Sequence, residues 1–277
     1  MNRFLLIFVL LSSHVFGQGV YPSGARSMSM ANASVTFNDV WSHFNNPGAV
    51  GNAKELTVGI SYENRFLLKE LQSQSVAAVI PLKVGSISIG GQMFGYRDFR
   101  SYKGGVGYGM RLGEMFYAGV QLNYMGIQLN NAYGSRNGFG GDLGILGKVT
   151  ESWLIGFSVA NLFRSKLAEF QDDRMTTLMR FGTSYKLSDK ALITGEVEKD
   201  IDNPLRFKAG VEYKPQKQIS LRGGVATAPV ELSFGLGYLT KLISINVGSS
   251  YHQLLGWSPH FGLIYTKLRG LSVFRNI

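Results

Sequence analysis

Leu205-Arg206-Phe207-Lys208-Ala209-Gly210-Val211-Glu212-Tyr213 decides the fold. Leucine, phenylalanine, alanine, valine and tyrosine take every second position, and arginine, lysine, glycine and glutamate fill the places between. Successive side chains of an extended strand point to opposite faces, so a period of two sets one face in an apolar medium and the other in a polar one. Ile243-Ser244-Ile245-Asn246-Val247-Gly248 alternates in the same way, as do Ser86-Ile87-Ser88-Ile89 and Met179-Arg180-Phe181-Gly182-Thr183-Ser184-Tyr185. Outward from these stretches, turn signals divide the chain into fourteen predicted strands: 55–66, 72–82, 84–97, 102–112, 115–130, 137–149, 152–163, 176–186, 190–200, 203–214, 217–226, 229–239, 241–252 and 257–268. No amphipathic helix interrupts them.

In a soluble sandwich the apolar face would point inward. Two features favour the inside-out arrangement of a membrane barrel. Short connections at Lys83, Gly113-Glu114, Thr150-Glu151, Leu187-Ser188-Asp189, Lys214 to Lys217 and Thr240-Lys241 alternate with others, the longest running from Arg164 to Met175 and from Asn130 to Arg136. Short periplasmic turns alternating with longer outer loops are the barrel pattern, although the connection near Ala226–Ala228 is short. An even strand count then places both chain ends in the periplasm. Tyr185, Tyr213, Tyr238 and Tyr265 fall at the periplasmic ends of descending strands, on the apolar face, and Phe116 and Trp153 open ascending strands at that level. Such amphipathic rings suit an interfacial girdle, with Lys83, Lys186, Lys190, Lys214, Lys217 and Lys241 just beyond it.

The rest of the sequence agrees. Of 277 residues, 35 are glycine and 12% aromatic against 17% charged, an excess that suits β-proteins with many turns. There is no cysteine, so disulfide frameworks and thiolate metal sites are excluded. The basic residues behind the net charge of +10 are scattered without a run of four, which argues against a nucleic-acid partner. Asn2 and Arg3, the apolar Phe4–Leu11 and the following Ser12–Gly17 read as a signal peptide, residues 1–17. No later stretch reaches the ~18 apolar residues of a membrane helix. A chain that is exported and membrane-embedded without such a helix must close into a barrel, because only closure satisfies every backbone group in lipid. The expected class is an all-β transmembrane antiparallel barrel of about fourteen strands over residues 55–268, with an N-terminal plug-like segment, residues 18–54, and a periplasmic tail, residues 269–277. Outer-membrane lipids are its first partners.

With the apolar face on lipid, the other face carries charge into the lumen: Arg180 and Lys186, then Glu196 and Glu198, then Arg206, Lys208 and Glu212, then Arg222, with Asp142 facing the same interior. Neighbouring strands present opposite signs, which suits structural ion pairing more than a patch that guides solute or packs a plug. Glycine is dense at Gly104–Gly109, Gly140–Gly147 and Gly235–Gly237, and permits kinks or the close approach of an internal segment. Residues 18–54 are not barrel-like. Ser34–His43 is partly amphipathic, and Asn45-Asn46-Pro47-Gly48 is a strong turn.

Gly24-Ala25-Arg26, Met28, Met30, Asp39, Trp41 and Asn46-Pro47 resemble the N-terminal signature of PorV/PorQ-type proteins of Bacteroidota, which belong with the FadL-type (long-chain fatty-acid transporter-like) barrels. Here Gly48 follows Asn46-Pro47, and Ala49 comes one place later. The resemblance implies a fourteen-stranded barrel and two roles. One is an accessory role in type IX protein secretion or surface attachment, with secretion components or secreted proteins as partners. The other is passive transport of a hydrophobic small molecule through a plugged barrel with lateral release. The compact chain and short outer loops favour the first. An enzyme would need a nucleophile or base with an orienting partner. Only His43, His252 and His260 remain beyond the signal peptide, with no acidic partner nearby in sequence, so no catalytic site is expected. No phosphate loop, metal spacing or dinucleotide fingerprint is present, and no cofactor is implied.

Overall fold

The computed structural model describes residues 22–129, 134–164, 176–201 and 203–267; the expected signal peptide and C-terminal tail lie outside them. Fourteen strands follow one another: β1 (Leu56–Asn64), β2 (Gln72–Pro81), β3 (Ser86–Gly95), β4 (Phe99–Leu112), β5 (Phe116–Leu129), β6 (Ser135–Lys148), β7 (Trp153–Ala160), β8 (Leu178–Ser188), β9 (Ala191–Asp200), β10 (Arg206–Gln216), β11 (Ile219–Ala226), β12 (Glu231–Leu239), β13 (Ile243–His252) and β14 (Gly256–Lys267). Each pairs with its sequence neighbours in antiparallel fashion, and β1 pairs with β14 to close the barrel, with Leu56 opposite Lys267 and Glu63 opposite His260. Closure leaves no edge strand, so the ladder satisfies the backbone all the way round. The fold class read from the alternation is the one found.

The alternation is also inside-out. Phe207 and Val211 of β10 are 55% and 46% exposed, whereas Lys208 and Glu212 between them are 3% and 2% exposed. The same holds around the ring: Ile60, Val76, Ile89, Val106, Leu122, Phe181 and Phe234 face out, while Ser61, Ser75, Ser88, Gln121, Asn123 and Asn246 are buried. A soluble protein would pay heavily for that arrangement, since a fully buried large apolar side chain is worth ~1.5–3 kcal/mol. A hydrocarbon solvent reverses the sign.

At the end where β1 starts and β14 finishes, the proximal end, the turns are short: 82–85, 113–115, 149–152, 189–190, 217–218 and 240–242. The distal connections reach 65–71 and 161–177. Most strand boundaries shift by one to three residues from the sequence reading, and three of the shifts have a local cause. β4 begins at Phe99, because Gly95 (φ +105°) tightens the turn and Phe99 meets Phe94 edge-on at 6.5 Å. β7 stops at Ala160, where Asn161 (φ 54°) turns the chain and its N–H donates to the Asp142 carboxylate at 2.8 Å. β10 continues through Pro215 to Gln216 by a bulge beyond Tyr213, the setting in which a strand tolerates proline.

Candidate functional site

The described part of the N-terminal segment winds around the inner wall. It forms three single-turn helices, α1 (Ala25–Met28), α2 (Ser42–Asn45) and α3 (Pro47–Val50), joined by turns. Ser34–His43, read as partly amphipathic, is mostly turn. Nearly every residue from Ser23 to Val50 is buried, with Asn38 the exposed exception. Asn46-Pro47-Gly48 is a helix start rather than a plain turn: the Asn46 Oδ1 accepts from the Gly48 N–H at 2.9 Å and Pro47 occupies the first helical position. A capping Asn followed by Pro at N1 is the sequence signal for such a start. The Asn46 Nδ2 also donates to the carbonyls of Val35 at 2.6 Å and Ile145 at 3.1 Å, tying two limbs of the segment to β6.

Glycine decides how closely the segment can lie. A Cβ on Gly119 of β5 would sit 2.1 Å from the Pro47 carbonyl oxygen, and one on Gly144 of β6 would sit 2.0 Å from the Asn46 Oδ1. Opposite, Gly210 and Gly224 of β10 and β11 seat Met30, at 2.7 and 2.4 Å from its atoms. Gly156 and Gly182 seat Val35, Gly59 seats Val40 and Trp41, and Gly90 seats His43. Many of these glycines lie directly opposite one another across strand pairs, as in Gly109–Gly119–Gly144, Gly156–Gly182, Gly210–Gly224 and Gly235–Gly248. They form a bare belt at the waist of the barrel. The density read in three strands is part of a feature that spans most of the ring.

Arg26 anchors the segment electrostatically. Its guanidinium donates to both Glu212 carboxylate oxygens, at 3.0 and 3.1 Å, and lies 3.6 Å from the Asp39 carboxylate. Arg222 donates to the same Glu212 at 2.6 Å and to Asn246 at 2.7 Å. The Arg26 guanidinium also stacks 4.4 Å above the Phe37 ring. Burial works against the charge of Arg26, but Glu212 and Asp39 outweigh it and hold its pKa up. Burial lifts the Asp39 carboxyl above the usual carboxylate range, against the pull of Arg26. A second anchor is Glu196, which accepts from the N–H groups of Ser34 and Val35 at 2.8 Å each and from Lys208 at 3.1 Å. Lys208 also bonds Glu198, and Arg180 lies 3.4 Å from Glu198.

The remaining residues singled out in the sequence are placed as follows. Arg206 pairs with Glu231 at 2.7 Å near the distal end. Asp142 pairs with Lys103 at 2.7 Å, reaching from β6 to β4 across β5. Lys186 pairs in register with Leu192 at the proximal rim, where it is exposed and meets Asp189 at 2.7 Å. Gly24 (φ +103°) leaves room for Trp41, whose ring would lie 2.4 Å from a Cβ there. Ala25, Met28 and Met30 are buried. Phe116, Trp153, Tyr185, Tyr213, Tyr238 and Tyr265 are exposed on the outer face at the proximal end, with Trp153 directly opposite Tyr185. Sequence reasoning missed Lys103 and Glu231, and it weighed His43 only as a catalytic candidate. Burial, reinforced by Lys103, pushes His43 down to about 3, so it is neutral, and its Nδ1 shares a 2.9 Å hydrogen bond with Ser88.

The outer wall carries one feature with no counterpart in the sequence reading. Gly91 of β3 and Gly104 of β4 lie directly opposite each other and point outward. A Cβ on either would meet a single atom near 4 Å, so both open onto space. They floor a groove of about 720 Å³ in the distal half of the wall, lined by Ile60, Tyr62, Val76, Met93, Tyr102 and Tyr124. Behind that wall, Gln92 donates to the Ser23 hydroxyl at 3.0 Å, and Ser23 meets the Ser75 hydroxyl at 3.0 Å.

No protein-family model matches the sequence, and no curated protein matches it. Solved structures do match its shape. The Ralstonia pickettii toluene transporter TbuX has a TM-score of 0.66 at 13% identity, covering 90% of this chain and 97% of that one. The deltaS2S3 mutant of TodX, a monoaromatic hydrocarbon channel, has a TM-score of 0.72 at 11% identity, covering 90% and 99%. A Pseudomonas aeruginosa FadL homologue has a TM-score of 0.60 at 12% identity, covering 91% and 98%. At these identities the likeness is one of fold: the closed fourteen-stranded barrel of this chain is similar to the folds of TbuX, TodX and the FadL homologue.

Proposed function

We propose that this chain is an outer-membrane protein with both termini in the periplasm that passes hydrophobic small molecules across that membrane without catalysis. The observation that carries this reading is the groove floored by Gly91 and Gly104, an apolar recess in the outer wall. Its position gives a hydrophobic molecule a place to stand between the barrel and the lipid. Inside, the described part of the N-terminal segment, residues 22–54, acts as the closure of the bore, with Ser23 bracing the wall behind the groove. The likeness in fold to hydrocarbon channels supports the same reading. An accessory role in type IX secretion is the other role that the N-terminal signature implies, favoured by the compact chain and the short outer loops. It becomes the second arm of the test.

The experiment is deletion of the gene with two measurements, uptake of a hydrophobic solute and export of surface proteins. Uptake should fall and export should not; the reverse would replace transport with the secretion role. Gly104→Leu then locates the path. It fills the groove without touching the inner face, so uptake should drop several-fold while the barrel keeps its heat-modifiable mobility.

A further inference from the structure

We infer that the proximal rim is a binding collar for anionic phospholipid headgroups. Each of the six proximal turns carries or adjoins a basic residue: Lys83, Arg111, Lys148, Lys190, Lys217 and Lys241 stand one per turn around the ring. Carboxylates neutralise only part of this charge. Glu151 takes Lys148 at 2.6 Å and Asp189 takes Lys186 at 2.7 Å. Lys83, Lys190, Lys217 and Lys241 are exposed and form no ion pair with any described residue. At the distal end Arg65 and Arg206 are held by Glu63 at 3.1 Å and Glu231 at 2.7 Å, while Lys69, Arg97 and Arg100 are exposed, so what sets the proximal lysines apart is their regular spacing, one per turn.

Successive proximal turns lie two strand spacings apart, about 10 Å along the rim. That is close to one Debye length, so the ammonium groups of Lys190, Lys217 and Lys241, on three successive turns, repel one another unless a counter-charge covers them, with Lys83 about two such spacings further round the ring. The counter-charge is identified by what borders the lysines. The exposed rings of Trp153, Tyr185 and Tyr213 sit on the outer wall just above them, at the level where such rings meet lipid headgroups. A lysine stem running down from that level places its ammonium among phosphates. An acidic protein would approach end-on and leave the rings uncovered. The inference needs only the membrane location and not the transport reading.

Trp153 makes this measurable. The chain has three tryptophans: Trp153 faces outward at the proximal girdle, Trp257 faces outward at the distal end, and Trp41 is buried. The Trp257→Phe protein, refolded into phosphatidylcholine vesicles, leaves Trp153 as the lipid-facing fluorophore. Brominated phosphatidylglycerol should quench it with a relative affinity roughly fivefold above brominated phosphatidylcholine, the effect of one lysine at an anionic surface. Molar salt should erase the preference, as should Lys83→Gln, Lys190→Gln, Lys217→Gln and Lys241→Gln combined. The Trp153→Phe protein, reporting from Trp257, should show none. Equal quenching by both lipids at low salt overturns the collar, and so does a preference that the four glutamines leave unchanged. Heat-modifiable mobility checks that each protein is inserted, and Lys190→Gln alone, on the next proximal turn from that of Trp153, replaces the combined variant if that one fails to fold. Solute uptake plays no part in the readout, so failure here is distinct from failure of the transport reading.

Discussion

The two faces of each strand are held to their surroundings by different physics. Outward, Phe207, Val211, Phe181 and Phe234 need only an apolar medium, and any side chain of similar character would serve. Inward, Glu212, Glu196 and the belt glycines each meet a named atom of the N-terminal segment at a fixed distance. The outer face is therefore specified by composition and the inner face by position. Changes of polarity should hurt the first, whereas changes of size or charge should hurt the second.

The largest effect should come from breaking the inner anchor. Glu212→Leu leaves Arg222 without its carboxylate and Arg26 with Asp39 alone; stripping one partner from such a buried cluster costs ~3–5 kcal/mol. The segment should detach while the barrel stays closed, and trypsin should then cut after Arg26 in folded protein. Protection equal to wild type would mean the anchor is dispensable. Next comes polarity on the outer face. Phe207→Arg should impair insertion by ~2–4 kcal/mol, whereas Ser244→Arg, on the inner face, should cost well under half of that. Equal tolerance of the two would refute the assignment of faces.

A matched pair of glycines isolates size. Gly119→Ala puts a methyl group 2.1 Å from the Pro47 carbonyl oxygen and should weaken docking by ~1–3 kcal/mol, raising cleavage at Arg26. Gly104→Ala meets open space and should leave docking unchanged. The smallest effect is one of pH. His43 is held down to about 3 in place, against ~6.5 when free, so the undocked segment takes up the proton more readily. The docking that neutral His43 supports is fully present above about pH 6.5. It weakens as pH falls towards 3, by ~1.4 kcal/mol per unit at most. His43→Gln should flatten that dependence in the trypsin assay, and an unchanged slope would assign it to other groups.

Parts of the inner face were legible in the sequence and parts were not. Arg206 lies opposite Glu198 and Lys208 opposite Glu196, so alternation with a short turn was enough to bring opposite signs together. Lys103 and Asp142 were not paired in that reading, because they stand on strands separated by β5 and meet over Gln121 and Asn123. Arg26 was picked out by its motif, yet its partner Glu212 lies 186 residues away. Lys186 keeps the inward parity of Arg180 and Ser184, but it stands at the proximal rim, where it is exposed and meets Asp189 instead of a lumen partner. The groove was invisible because Gly91 and Gly104 become a floor only when the β3–β4 register sets them side by side.

Read alone, Leu205 to Tyr213 and its counterparts determined that each strand separates an apolar medium from a polar one, and closure followed because lipid tolerates no unpaired backbone. Both conclusions rest on a local period of two, which a sequence displays directly. Only the tertiary structure decided what fills the polar side. The belt of glycines, the Arg26–Glu212–Arg222 anchor and the course of residues 22–53 depend on which residues fourteen registers bring level with one another. No local period encodes that, because it is a property of the closed ring.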